Sequence, residues 1–439
     1  MEVYRDDKWK TSAARRGGPV GYKRRVIDSE LDVLMPGAPA ISIDGPKAVG
    51  KTATATQRAR TLFQFDDEPT AEVIRAAPER ILESPRPVLI DEWQRVPQIW
   101  DSVRRAVDAG ATPGSFLLTG SAVPTDLPVH SGAGRIISLR MRPLAFSERD
   151  REKTTVSVAR MLDGDEEISG TTQIKLADYV QEIVVSGFPG IRSLPDRVRR
   201  AQLDSYISRI IQRDFPEQGQ RVRKPETLRA WLSAYAAATA TTTSYAKILD
   251  AATPGVPEKP AKETTLAYRD VLSQLWILDP VFAWQPRNAF ARFGTTPKHF
   301  LADPALSARL LELDEERLLS ASGDHVGPND KTRLGSLFEA LVALSLQTYA
   351  QAAEATVSHL RTSRGDHEID FIIHGSNGST VAIEVKLDRS IGDKDVKHLL
   401  WLRENLGSDL TDSAVIYTGP YAYRRADGIA VIPLSLLGA

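Results

Sequence analysis

From about residue 40 to residue 145, short apolar runs (AISI, PVLI, SFLLTG, RIISL) alternate with stretches of helical periodicity. That is the pattern of a parallel sheet with crossover helices, and it predicts an α/β domain over 26–150. In VPQIWDSVRRAVDAG, Ile99, Val103 and Val107 recur every fourth position and Gly110 supplies a stop, so a helix is expected over one sheet face. The first 25 or so residues show no apolar periodicity and are rich in Arg, Lys and Gly, which reads as a basic, flexible arm, either a solvated tail or a nucleic-acid arm. Residues 150–170 are polar and charged and read as a loose connection.

The block 171–320 is mainly helical by pattern, with YVQEIVVSGFPGI and LDSYISRIIQRDF as apolar-periodic segments. Within it two short helices surround a Pro-rich turn and precede the strand-like LWILDPVFAW, an order that suits a winged helix, which binds DNA in some proteins and only packs in others. From 331 to 439 the order is a helix (LGSLFEALVALSLQTYA), a hairpin (EIDFIIHGSNGSTVAIEVKL), a helix (DKDVKHLLWLREN) and a strand (SAVIYTG), a further α/β unit.

Composition narrows the function classes. A chain of 439 residues suggests about two to four domains. The net charge of -1 gives no global basic field, so contact with DNA or RNA must come from local patches. The absence of cysteine excludes disulfides, thiolate metal sites and a cysteine nucleophile, and fits a reducing compartment. The charged N-terminal stretch lacks the apolar core of a signal peptide, and no uninterrupted apolar span reaches bilayer length. A cytoplasmic protein without a membrane partner is expected.

The strongest chemical signal is ISIDGPKAVGKTATA, in which Gly45 to Gly50-Lys51-Thr52 spell G-x-x-x-x-G-K-T between a strand and a helix. Such a loop turns backbone N–H groups inward around phosphates. ATP is thus expected on Gly45, Pro46, Lys47, Ala48, Val49, Gly50, Lys51 and Thr52, with Lys51 facing the β- and γ-phosphates and the Thr52 hydroxyl on Mg²⁺. In PVLIDEWQ, Asp91 and Glu92 end an apolar strand, where Asp91 can hold Mg²⁺ and Glu92 can orient or deprotonate the attacking water. The next strand ends in Thr119-Gly120-Ser121, expected to bring a hydroxyl near the γ-phosphate. Arg135, Arg140 and Arg142 follow, and Arg135 is the candidate for stabilising transition-state charge.

The C-terminal hairpin carries a second constellation. Its turn brings Asp370 beside Glu384, and alternation puts Glu384 and Lys386 on one side of the strand. Asp370 and Glu384 could then hold Mg²⁺, Glu339 on the preceding helix could add an outer ligand, and Lys386 could act on a water or on developing phosphorane charge. With 26% charged residues, an E-x-K on a strand also reads as a solvated face or an ion pair.

GPKAVGKT, LIDEWQRVP, FLLTGSA and GRIISLRMRPLAFSE, followed by YVQEIVVSGFPGI, YISRIIQRDF, FEALVALSL, RTSRGDHEIDFII and IAVIPL, resemble a widespread prokaryotic family of AAA+-like ATPases. The resemblance runs from about residue 22 and implies an ATPase domain, a winged-helix-like middle and a C-terminal core similar to PD-(D/E)XK nucleases. The arm before Tyr22 and the insertion TPGVPEKPAKE depart from it. Two functions are then expected as alternatives. One is an ATPase whose nucleotide state controls a nuclease-like domain acting on nucleic acid. The other is an ATP-switched regulatory, defence or toxin-type binding protein, homo-oligomeric or with a protein partner, whose nuclease-like core does not cut.

Overall fold

The computed structural model describes residues 21–122, 133–219, 224–253, 262–286, 294–320 and 328–439. The first 20 residues of the expected basic arm and most of TPGVPEKPAKE lie outside them. The chain divides into two compact units, Met1–Met141 with Gln274–Trp276, and Arg142–Ser273 with Ile277–Ala439.

The first unit is built on β1 (Ala40–Asp44), β2 (Thr61–Gln64), β3 (Val88–Asp91), β4 (Phe116–Gly120) and β5 (Ile137–Arg140). They form one sheet in the order β2-β3-β4-β1-β5, every neighbouring pair parallel. Strands β3 and β4 are buried throughout and β1 nearly so, as expected for parallel strands covered on both faces. The edge strand β2 is only half-buried, and its polar-flanked TLFQ gave no apolar run to read. The helices are α1 (Val26–Leu34), α2 (Lys51–Thr56), α3 (Glu68–Ala76), α4 (Glu79–Glu83) and α5 (Gln98–Asp108). The α5 helix follows its fourfold periodicity, packing Ile99 and Val103 into a core with Ile90, Phe116 and Leu118. It stops before Gly110, whose φ of +89° lies in the left-handed region that glycine adopts without a Cβ penalty.

In the second unit, β6 (Val156–Ser157), β7 (Gly170–Thr171), β8 (Phe282–Ala283), β9 (Ala355–Arg361), β10 (Glu368–Gly375), β11 (Thr380–Val385), β12 (Asp412–Tyr417), β13 (Tyr421–Arg424), β14 (Ala430–Pro433) and β15 (Leu437–Gly438) follow in chain order. Eight of them make a mixed sheet in the order β7-β13-β14-β12-β11-β10-β9-β8. The predicted hairpin is β10–β11, antiparallel with Phe371 opposite Ile383. Helix Asp393–Leu406 covers one face, with Val396, Leu399 and Leu402 packed on Ile372, Val415 and Val431.

The segment read as a loose connection is woven into this unit. Strand β6 pairs with β15, β7 pairs with β13, and Met161, Leu162 and Ile168 are buried. Its polar composition conceals this because its strands are two residues long. The expected 171–320 and 331–439 blocks fall in one unit, since β7 and β8 join the C-terminal sheet. Helices Pro225–Ala237, Tyr245–Ala252 and Lys262–Gln274 precede antiparallel bridges of Leu278 with Leu301 and Val281 with Lys298. A buried charge network also ties this unit together: Arg149 Nη1 donates to the Glu182 carbonyl at 2.7 Å and carboxylate at 3.1 Å, and Arg192 Nη1 meets the same carboxylate at 2.6 Å. Among the described residues no helix is long and apolar enough to cross a membrane.

Candidate functional site

Sheet order brings three loops to one edge of the first unit. In register, Asp44 at the end of β1 faces Gly120, and Asp91 at the end of β3 faces Thr119, so the Gly45–Gly50 loop, the acidic pair and the Thr119–Ser121 turn emerge together. The loop conformation is one that few residues tolerate. Ala48 and Gly50 have φ of +67° and +103°, an alternation that turns successive N–H groups to one side. At Gly45 an added Cβ would lie 2.1 Å from the Met141 carbonyl oxygen, so only glycine fits.

Lys51 is buried, and its Nζ donates to the Gly45 and Pro46 carbonyls, both at 2.8 Å. Burial lowers its pKa to about 8, opposed by the charges of Glu92 and Asp91. The Thr52 hydroxyl donates to Asp91 Oδ1 at 2.8 Å, and the Thr119 hydroxyl donates to the same oxygen. Burial raises the Asp91 pKa against those two hydrogen bonds. Glu92 holds a left-handed φ of +55°, a strained geometry for a non-glycine residue. Its Oε2 accepts from Ser121 Oγ at 2.7 Å and from Gln94 Nε2. Thr119 thus bonds Asp91, and Ser121 bonds Glu92.

The residues present fit a nucleotide with Mg²⁺. The loop offers a lysine whose present partners are carbonyl oxygens, chemically stand-ins for phosphate oxygens, and the Thr52–Asp91 pair supplies hard oxygen donors of the kind Mg²⁺ takes. Arg135 does not join them. Its Nε pairs with Asp108 at 2.9 Å, and its side chain is 47% exposed. Arg135 precedes β5, whose Ile137 is level with Ile41 and whose Arg140 is level with Asp44, so it stands toward the sheet edge opposite the loop. The expectation of a transition-state cation there is corrected on that ground.

Arg25 is the residue that sequence reasoning assigned to a solvated arm. It is buried, and its Nη1 donates to the Val49 carbonyl at 3.0 Å. Its backbone N–H meets Asp28 Oδ2 at 2.7 Å, while Arg58 Nη1 meets Asp28 Oδ1 at 2.5 Å. Tyr22 joins the network through Asp28 at 2.6 Å and Thr54 at 2.9 Å. The only available signal was its place one residue before the apolar-periodic VIDSEL.

In the second unit Asp370, Glu384, Lys386 and Glu339 do converge, around a residue that the pattern did not reveal. Lys298 Nζ lies 2.8 Å from Glu339 Oε1, 3.0 Å from Asp370 Oδ1 and 3.9 Å from Glu368. Asp370 Oδ2 accepts from the Val385 N–H at 2.9 Å, and Lys386 Nζ donates to Glu384 Oε2 at 2.7 Å. Glu384 Oε1 is buried without a hydrogen-bond partner among the described residues. Burial, and then the Asp370 charge, push Glu339 up to about 8. The same two causes push Glu384 up to about 8 against Lys386. Asp370 goes down: burial opposes the shift, but Lys298 and Lys386 outweigh it. Among the described residues no three His, Cys, Asp or Glu side chains are arranged to hold a metal ion, and the Lys298 ammonium stands between Glu339 and Asp370. These residues do not fit the expected Mg²⁺ site.

Three family matches divide the chain. Residues 37–149 match the AAA domain, residues 176–317 match a domain of unknown function (DUF8612), and residues 334–437 match another (DUF4143). An uncharacterized protein of Mycobacterium tuberculosis is 23% identical over 420 residues, which cover 94% of this chain and 83% of the relative. Among solved structures, a Walker-type ATPase of Pyrococcus abyssi is similar at 13% identity and a TM-score of 0.39, over 66% of this chain and 96% of that one. The ORC2 protein of Aeropyrum pernix is similar at 12% identity and a TM-score of 0.24, over 67% of this chain and 92% of that one. Loop motif, acidic pair and family match agree: residues 37–149 are similar to the AAA domain and carry the residues of a P-loop nucleotide site.

Proposed function

We propose that the chain is an ATP-hydrolysing switch whose second unit keeps a PD-(D/E)XK-like arrangement without cutting nucleic acid. The ATPase half rests on one observation above the others, the Thr52–Asp91 hydrogen bond of 2.8 Å at the mouth of the Gly45–Gly50 loop. Bound Mg²⁺ supplies charge neutralisation on the β- and γ-phosphates. Thr52 and Asp91 would hold that ion, and Lys51 would turn from the Gly45 and Pro46 carbonyls to phosphate oxygens. Glu92, gripped by Ser121 and Gln94, orients a water and takes its proton. Arg25 fixes the Val49 carbonyl and with it the loop.

The non-cutting half rests on Lys298. A lysine ammonium at 2.8 and 3.0 Å from two carboxylates satisfies electrostatically what a divalent cation would otherwise satisfy, so this core is read as a binding or regulatory module. The helices between Pro225 and Gln274, with the bridges that follow, are read as a winged helix serving packing. The test is twofold. Mg²⁺-dependent ATP hydrolysis by the full chain, lost in Lys51→Ala, supports the switch. A panel of single- and double-stranded DNA and RNA with Mg²⁺ or Mn²⁺, with and without ATP, should show no cleavage, and robust cleavage abolished by Asp370→Ala would restore the nuclease reading.

A further inference from the structure

We propose that the second unit carries a separate binding pocket for a phosphate group, built on Arg361 and Arg364. A cavity of about 220 Å³ opens beside β9, lined by Thr242, Thr296, His359, Arg361, Thr362 and Arg364 among others. Its size falls below the roughly 300–1,000 Å³ of sites that enclose drug-sized ligands, so it suits the phosphate group itself, with the rest of the ligand left outside. Among the described residues the lining holds two guanidinium groups, several hydroxyls and no carboxylate. That inventory is donor-rich and net positive, the composition that recognises an oxyanion.

The donors are arranged for such a ligand. Arg361 Nη1 donates to Thr242 Oγ1 at 2.7 Å, which fixes the plane of the fork. Its Nε makes a long ion pair with Glu368 at 3.9 Å, too long for a hydrogen bond. Gly365, with φ of +76°, would bring a Cβ within 3.5 Å of Arg361 Nη2, so glycine keeps that nitrogen uncrowded. The turn is closed by the Gly365 N–H on the Thr362 carbonyl at 2.9 Å, and it carries Arg364, whose side chain has no ion-pair partner among the described residues. At the back, His359 is buried and directs Nε2 to the Thr296 carbonyl at 3.0 Å. A carbonyl can only accept, so Nε2 carries the proton. The imidazole is neutral, since burial and the nearby Lys298 lower its pKa to about 4.

The shared chemistry is a phosphate monoester, carried by a free nucleotide or by the end of a polynucleotide. The full chain is titrated in a Lys51→Ala background, which silences the first unit's loop, using inorganic phosphate, AMP, and a short oligonucleotide with and without a 5′-phosphate. Phosphate binding that weakens about tenfold or more in Arg364→Gln and in Arg361→Gln, with partial recovery in Arg364→Lys, supports the pocket. Preference for AMP identifies a nucleotide ligand, and preference for the phosphorylated over the hydroxyl-terminated oligonucleotide identifies a strand end. Undiminished phosphate affinity in the Arg361/Arg364 double variant, or no phosphate binding at tens of millimolar (about 10⁻² M, far weaker than the usual range), overturns it. Because all these residues lie in the second unit, failure would leave the ATPase reading standing.

Discussion

The Lys298 ammonium lies 3.0 Å from Asp370 Oδ1, across 72 positions of sequence, and it neutralises a carboxylate expected to bind metal. Removing one partner of a buried ion pair leaves an uncompensated charge, which typically costs about 3–5 kcal/mol. Lys298→Ala should therefore lower unfolding free energy by about that amount. Mn²⁺ should raise the melting temperature of this variant while leaving the parent unchanged. Equal Mn²⁺ shifts in both proteins would show that Lys298 does not hold the cation's place.

Arg25 should act on nucleotide binding rather than chemistry, because its Nη1 donates to the Val49 carbonyl of the phosphate-binding loop. Arg25→Ala is expected to raise KM for ATP about tenfold, the scale of one charge-assisted hydrogen bond, with little change in kcat. Arg25→Lys should recover part of the loss. A fall in kcat at unchanged KM would place its role elsewhere.

The Arg149–Glu182–Arg192 network gives stability a pH dependence. Burial would raise the Glu182 pKa, but hydrogen bonding to Arg192 and the charge of Arg149 bring it below the ordinary value of 4.5. A depressed folded-state pKa means that the unfolded chain binds the proton first as pH falls. The contribution is thus fully present above about 4.5 and is lost on acidification through the folded value. Glu182→Gln should be less stable at pH 7, and the gap to the parent should narrow below pH 4. Denaturant titrations at both pH values measure it, and a gap that widens in acid would reverse the sign.

How much of this was readable in advance depends on how local the signal was. Lys51, Thr52, Asp91 and Glu92 were legible because loop geometry and a strand-end acidic pair leave fixed spacings, and parallel register then carries them to one sheet edge. The β10–β11 hairpin was legible from its turn and alternation. Lys298 was not, because its partners come from a helix 41 residues away and a strand 72 residues away, and GTTPKHF carries no periodicity. Arg135 misled because an arginine after the third strand motif says nothing about which end of β5 it occupies. The 150–170 segment misled because two-residue strands leave no alternation to read. Arg25 was hidden by the charged residues before it, which resemble a solvated tail until α1 is seen to start at Val26.

The central claim is ATP hydrolysis with Glu92 as the base, and Glu92→Gln in the full chain tests it most directly. Nucleotide affinity and single-turnover hydrolysis should be measured on the same preparation with Mg²⁺. The account predicts that ATP stays bound, since Lys51, Thr52 and Asp91 are untouched, while hydrolysis falls by about a hundredfold or more, the usual weight of a general base. Hydrolysis at the parent rate in Glu92→Gln, or no hydrolysis by the parent itself, would contradict it.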